Sequence, residues 1–223
     1  MKLALLLSGG KDSVYSGFLA KKQKHKLVCL ISIFSENKDS YMFHTPSISK
    51  VEKQAEVMNL PLIIQKTKGV KEEELKDLEK AIILAKKKYK IQGIITGAIQ
   101  SVYQSSRIQK ICNKLNLECF NPLWQTSELD YLNDLIKNKF KVILTGVFAY
   151  PLDEKWLGRE IDKKFIEEIK KLNEKYKISM IGEGGEFETF VLNCPLFKHE
   201  LKIKSFKDFK EGTNSFRREI EVR

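Results

Sequence analysis

No apolar stretch in this chain approaches the ~20 residues that cross a bilayer as a helix, and no membrane partner is expected. The first residues enter an apolar run and a glycine turn at once. They lack the basic start and small-residue cleavage site of a secretory leader, so the expected location is cytoplasmic. Cysteine is sparse and scattered, at Cys29, Cys112, Cys119 and Cys194. No pair has the two-residue spacing of a zinc knuckle or redox site. Cys112 and Cys119 are separated by a helix end, a poor geometry for ligands, and buried thiols packing as small hydrophobes are the expectation. Internal repeats and low-complexity linkers are absent.

What remains is a chain of 223 residues, 42% hydrophobic and 31% charged, enough for one large or two small domains with a substantial core. Its 40 basic and 29 acidic residues leave a formal charge of +11. Such an excess attracts ATP, nucleic acid or an acidic protein. Most of it is lysine mixed with glutamate, as in Lys71 to Lys90, and the plainer explanation is a solvated surface of the kind heat-adapted proteins carry. No arginine-and-aromatic stripe marks an RNA groove, and nucleic acid is not expected as a partner.

Short apolar runs (Leu3–Leu7, Leu27–Phe34, Leu62–Ile64, Gly93–Thr96, Glu118–Phe120) alternate with helical patterns (Ser13–Lys22, Pro46–Met58, Lys71–Tyr89, Tyr103–Asn116). This alternation predicts an α/β fold, a Rossmann-like parallel sheet with crossover helices. Ligands of such sheets bind beyond the carboxyl ends of the strands, so the turn after Leu7, Ser35–Thr45 and Thr96–Ser101 should share one rim. The pattern changes after Pro122-Leu123-Trp124. A helix at Ser127–Lys137, an apolar run at Lys141–Phe148 and a helix with Ile161, Phe165, Ile169 and Leu172 on one stripe follow. Next come an acidic glycine turn at Gly182–Glu186 and candidate strands at Leu201–Ile203 and Arg218–Val222. We expect domains at 1–124 and 125–223, the second smaller and mixed α+β.

The strand-turn-helix around Ser8-Gly9-Gly10-Lys11-Asp12-Ser13 carries the clearest chemistry. Adjacent glycines let a ligand approach the backbone, and the start of a helix stabilises an anion. Ser8 and Ser13 add hydroxyls and Lys11 a charge, which together read as a phosphate cradle. The plain alternative is a Gly-Gly turn with serines capping a helix. The spacing fits neither the kinase-type loop nor the three-glycine dinucleotide pattern. It resembles the loop of the ATP pyrophosphatase (PP-loop) superfamily, which is adenine nucleotide alpha hydrolase-like in fold and transfers AMP while pyrophosphate leaves.

Three further segments stand out. In Gly182-Glu183-Gly184-Gly185-Glu186-Phe187-Glu188-Thr189 the carboxylates repel unless a cation is near: a metal ion, an ammonium, or a lysine of the chain. The alternative is an exposed acidic turn. In Thr96 to Arg107, small residues would admit an adenine base or ribose. Arg107, one turn after Tyr103, faces the same side and could take a phosphate or carboxylate in bidentate fashion, or be a surface arginine. In the polar and aromatic loop Ser35–Thr45, His44 is a candidate for substrate contact only.

Taken in order, the glycine loop, Ser40-Tyr41-Met42-Phe43-His44-Thr45, Gly97-Ala98-Ile99 with Ser101, Tyr103 and Gln104, Pro122-Leu123-Trp124, Leu157-Gly158-Arg159, and Gly182 to Thr189 resemble the archaeal and eukaryotic diphthine–ammonia ligase family. The acidic segment discriminates most. Gln109-Lys110 departs from the pattern, where an acidic residue is expected.

The resemblance implies the last step of diphthamide synthesis on translation elongation factor 2. A diphthine carboxylate is adenylated by ATP, pyrophosphate leaves, and ammonium supplies the nitrogen. It implies ATP and Mg2+ as cofactors, with Ser8, Gly9, Gly10, Lys11, Asp12, Ser13, Ile33, Gly97 and Arg107 at the nucleotide. Asp12 would orient Lys11 or a Mg2+ hydration shell. Lys11, Asp12, Glu183 and Glu186 are the expected catalytic residues. His44, Ser101, Tyr103, Gln104, Trp124, Glu183, Glu186 and Glu188 are expected at the substrate, the glutamates holding its trimethylammonium or the incoming ammonium, with Trp124 or Tyr103 adding an aromatic face. No glutamine-hydrolysing module is visible, so free ammonium is the expected nitrogen source. The alternative is a PP-loop enzyme that thiolates or amine-ligates tRNA. A non-enzymatic nucleotide sensor is a third reading. A homo-oligomer is left open.

Overall fold

A computed structural model describes residues 1–35, 48–70 and 72–223 of the chain. His44 and its neighbours from 36 to 47 lie outside the described residues, as does residue 71. The chain divides into two compact units, Met1–Trp124 and Gln125–Arg223. Among the described residues no helix is long and apolar enough to cross a membrane.

The first unit is a parallel sheet with helical crossovers. Strands β1 (Lys2–Leu6), β2 (Lys26–Ser35), β3 (Leu62–Thr67), β4 (Gly93–Ile95) and β5 (Glu118–Phe120) stand in the order β3-β2-β1-β4-β5. Every pairing is parallel. Helices α1 (Lys11–Lys22), α2 (Ile48–Met58), α3 (Glu74–Tyr89) and α4 (Val102–Lys114) connect the strands. The chain builds outward from β1 through β2 to β3, then returns to the other side of β1 for β4 and β5. The direction of winding reverses between β1 and β4, the place where open α/β sheets bind ligands. Both faces of such a sheet are covered by helices, which is why its strands are apolar runs and not alternating patterns. Cys29, Ile31, Ile63 and Ile94 of the strands pack with Leu78, Ala81 and Ile82 of α3 and with Ile108, Ile111 and Cys112 of α4. Cys29, Cys112 and Cys194 are buried thiols, and Cys119 is half-buried.

The second unit is a four-stranded sheet of β6 (Lys141–Val147), β7 (Phe187–Asn193), β8 (Ile203–Gly212) and β9 (Ser215–Val222), in the order β7-β6-β9-β8. Its pairings are antiparallel. Helices α5 (Glu128–Lys137) and α6 (Lys163–Tyr176) accompany it. Phe165, Ile169, Leu144, Phe187 and Phe190 lie in its buried interior. The tail differs from the sequence reading. Leu201 and Lys202 precede the strand, and β8 runs on to Gly212 with almost every side chain exposed. It is held by its ladder to β9, not by burial.

Candidate active site

The turn after β1 is built by its own hydroxyls. Ser13 Oγ donates to the Gly10 carbonyl at 3.0 Å and accepts from the Ser8 hydroxyl at 3.1 Å and the Ser8 N–H at 3.2 Å. Gly9 takes φ +88°, a conformation glycine adopts without a side-chain clash. Its carbonyl accepts from Gln54 Nε2 at 3.0 Å, so a buried residue of α2 fixes the bend. Gly10 caps α1 without a side-chain hydrogen bond, leaving the positive end of the helix uncovered by its own cap. Lys11 is only 3% exposed. A buried ammonium needs a charge partner, and Asp12 supplies one at 3.0 Å.

The turn after β4 closes against this cradle. A Cβ at Gly97 would stand 2.8 Å from the Ser13 nitrogen and 2.9 Å from the Asp12 carbonyl carbon. Only glycine lets the two turns approach so closely. Thr96 Oγ1 receives the Ala98 N–H at 3.2 Å and donates to Asn121 Oδ1 at 2.5 Å. Ser101 caps α4 by accepting the Gln104 N–H at 3.3 Å. Ser8 to Ser13 and Gly97 are thus brought together. Ile33 lies on β2, buried in the apolar core.

Tyr103 and Arg107 share a face of α4, with the guanidinium carbon 3.4 Å from the ring centroid. The carboxylate they meet belongs to the chain. Glu72 Oε1 accepts from Arg107 Nε at 2.8 Å and from the Tyr103 hydroxyl at 3.2 Å. Burial and the neighbouring Glu72 push the Tyr103 phenol above its ordinary value. Trp124 lines an open pocket of about 420 Å³ with Ser105, Ser106, Gln109, Cys119 and Asn121. Cys112 and Cys119 hydrogen-bond to each other despite their separation in sequence. That bond and burial push the Cys112 thiol up, whereas the same bond holds Cys119 below its usual range.

In the second unit the acidic turn is braced. Glu186 Oε1 accepts the Ser179 N–H at 2.7 Å, and its Oε2 accepts the Gly184 N–H at 2.9 Å. Gly184 makes this fold-back feasible, since a Cβ there would lie 2.9 Å from Glu186 Oε1. Ser179 Oγ donates to Glu128 at 2.7 Å and accepts from the N–H groups of Ile181 and Glu183 at 3.2 and 3.1 Å. Glu128 also accepts the Met180 N–H at 3.0 Å. Phe187 anchors the turn in the core, its ring centroid 6.0 Å from that of Phe165. Glu188 pairs with Arg217 at 3.1 Å. The glutamates therefore differ in role. Backbone donors occupy Glu186 and an arginine meets Glu188, where the sequence reading had a lysine, an ammonium or a metal. Sequence reasoning missed Glu128, Ser179 and Arg217. Of these, only Ser179 flanks the acidic motif closely enough to have been found.

Residues 1–119 match the diphthamide synthase N-terminal domain, and residues 127–222 match the diphthamide synthase C-terminal domain. Diphthine–ammonia ligase of Mus musculus is 34% identical over 97% of this chain and 88% of its own length. The Homo sapiens protein of that name is 34% identical over the same shares. A crystal structure of a "predicted subunit of tRNA methyltransferase" from Methanocaldococcus jannaschii is similar at a TM-score of 0.40 and 18% identity, over 87% of this chain and 98% of that one, a level that carries no argument about function. With its two halves matched in order and such relatives spanning nearly its whole length, the chain belongs to the diphthamide synthase family.

Proposed function

We propose that this chain is a diphthine–ammonia ligase. It amidates the diphthine carboxylate of translation elongation factor 2 to diphthamide, converting ATP to AMP and pyrophosphate. The observation that carries this reading is the glycine turn at the switch point between β1 and β4, in a chain of this family. The tRNA-modifying alternative is not favoured by relatives that bear the name diphthine–ammonia ligase.

The residues present fit a triphosphate. The turn offers a helix N-terminus without a side-chain cap, a buried lysine beside it, and a glycine-lined approach that a Cβ would fill. Ser8, Gly9, Gly10, Lys11 and Ser13 hold the departing pyrophosphate, while Ile33, Gly97 and Arg107 flank the rest of the nucleotide. Arg107 must first exchange Glu72 for a phosphate. Asp12 holds Lys11 in place. Mg2+, which keeps several waters and binds through one or two carboxylates plus phosphates, would be held by Asp12 and would neutralise charge on the phosphates.

A carboxylate resists attack by ammonia. Its oxygen therefore attacks the α-phosphorus of ATP, and the bond to pyrophosphate breaks. Ammonia then attacks the carbonyl carbon, AMP leaves with the bonding pair, and the nitrogen gives up a proton. In this reading Glu183 accepts that proton, and Glu186 shapes the turn around it. Ser101, Tyr103, Gln104, Trp124 and His44 are assigned to substrate contact, residues 1–124 to ATP binding and 125–223 to substrate binding. The cytoplasm, where a translation factor works, is the expected compartment.

The test is direct. The full chain is incubated with ATP, nitrogen-15 ammonium and diphthine-bearing elongation factor, and the modified histidine is read by mass spectrometry. Labelled amide with stoichiometric pyrophosphate is expected. No amide, or an unlabelled amide that forms only when glutamine is added, overturns the reading.

A further inference from the structure

Gly146, near the end of β6, is flanked in register by Glu188 of β7 and Arg217 of β9. Directly opposed residues of a sheet share a face. Since Gly146 puts no side chain between them, Arg217 reaches across the central strand to Glu188, Nη1 to Oε2 at 3.1 Å. The Phe148 ring covers the gap, and a Cβ at Gly146 would stand 2.4 Å from its Cζ. The Arg217 guanidinium carbon lies 5.3 Å from the centroid of that ring. Glu211, at the end of β8, approaches Arg217 Nε at 3.3 Å. The Phe148 N–H donates to the Glu186 carbonyl at 2.8 Å, which ties the ring to the acidic turn.

We propose that Phe148, Glu188 and Glu211 form the site for the substrate's trimethylammonium group, and that Arg217 fills this site until the substrate arrives. A quaternary ammonium has no N–H to donate. It is recognised by an aromatic face and by carboxylate charge, and this corner offers both. A guanidinium is satisfied by the same surroundings. The side chains of Arg217, Glu188 and Glu211 remain 32%, 30% and 36% exposed, so a ligand reaches them from solvent. Ion pairs this exposed are weak enough to exchange. Glu186 is outside the site, because both of its oxygens already accept backbone N–H groups. The inference rests on the reading of the chain as an enzyme acting on diphthine, and its test is chosen to stand apart from that reading.

Tetramethylammonium chloride is titrated into the full-length protein by NMR, against sodium chloride at equal ionic strength. Weak binding is expected for the natural protein. R217Q should tighten it about two- to tenfold, the worth of the two partly exposed ion pairs it releases, whereas R217K should leave it unchanged. Adding F148L to R217Q should weaken it about three- to tenfold through loss of the aromatic face, with the circular dichroism spectrum unaltered. Weaker or unchanged binding in R217Q, or indifference to F148L, overturns the proposal. Amide formation is measured separately. If amide forms but tetramethylammonium ignores both substitutions, the cation site falls and the ligase reading stands. If the probe behaves as expected but no amide forms, the site stands as a cation site and the ligase reading falls.

Discussion

Replacing Gly97 by alanine tests the packing on which the nucleotide site depends. Gly97 is not among the residues of positive φ, so alanine adopts its backbone without strain and any effect comes from the added methyl. That methyl would meet the Ser13 nitrogen at 2.8 Å, the Asp12 carbonyl carbon at 2.9 Å and the Asp12 Cβ at 3.2 Å. Ordinary van der Waals contact begins near 3.4 Å. The two nearest neighbours are backbone atoms in the first turn of α1 and the third is a Cβ fixed to that backbone, so none can rotate aside and one turn must retreat by about half an ångström. Overpacking of this kind costs about 1–3 kcal/mol, a fall in Tm of roughly 2–12 °C for a protein of this size. A misplacement of about 1 Å costs up to ~100-fold in rate, and half of that should lower kcat/KM for ATP about tenfold. Pyrophosphate release and scanning fluorimetry read the two effects. An unchanged Tm would refute the packing argument. A lowered Tm with unchanged kcat/KM for ATP would refute the placement of the triphosphate at this turn. Gly185→Ala is the control. Its φ of +82° strains alanine, but nothing lies within 4 Å of the new methyl, so about 1–2 kcal/mol of stability is lost while KM for ATP stays constant.

Ser179→Ala removes one hydroxyl that donates once and accepts twice. At about 1 kcal/mol per hydrogen bond, it should cost about 1–3 kcal/mol in urea unfolding and lower kcat more than it raises KM for ATP; wild-type amide formation would remove the brace from the mechanism. In Glu186→Gln the new amide turns a donor toward the Ser179 or Gly184 N–H, so stability and kcat should fall together, and unchanged KM for ammonium with unchanged kcat would sink any role for this side chain. Gly158→Ala sets a methyl 2.0 Å from Arg218 Nη1 at φ +77°, displacing Arg218 from its paired bonds to Asp208 at 2.7 Å; combined with Arg218→Ala the losses should sum to less than the two singles, and strict additivity in urea midpoints would contradict the contact. For acid, the Arg218 hydrogen bond holds Asp208 below its ordinary 3.8, and the Arg159 hydrogen bond holds Glu168 below its ordinary 4.5. The unfolded chain takes up these protons first, so their stabilisation is present above those ordinary values and lost as pH falls through the lower folded ones. The urea midpoint should drop below about pH 4.5, and Arg218→Gln should make the drop shallower.

The parts of this molecule that were legible in its sequence are those whose physics is local. A strand, two glycines and a helix start lie within a dozen residues around Ser8–Ser13, and each apolar run of the first unit became a strand because both faces of a parallel sheet are buried. Even a displaced boundary has a local cause. Ile161 fits the stripe of α6 but precedes its cap, where Asp162 accepts the Phe165 N–H at 2.7 Å and Ile161 bonds to β6 instead. The acidic turn was legible as composition, whereas its partners were not. Arg217 meets Glu188 only because β9 pairs with β6 at Gly146, and the register of a long-range pairing depends on turns and faces that one strand alone does not encode. β8 shows the limit most clearly. Ile203, Phe206 and Phe209 recur every third residue among lysines, a spacing that suits neither a buried strand nor its alternation. The structure resolves this without burial: Phe206 is 59% exposed, yet Arg218 covers it at 4.1 Å, and Lys207 lies 5.0 Å from the centroid of Phe209. The basic residues of this tail are the ones that cover its rings. Charge counted along the chain therefore hid an aromatic and cationic face that exists only once β8 and β9 are laid side by side.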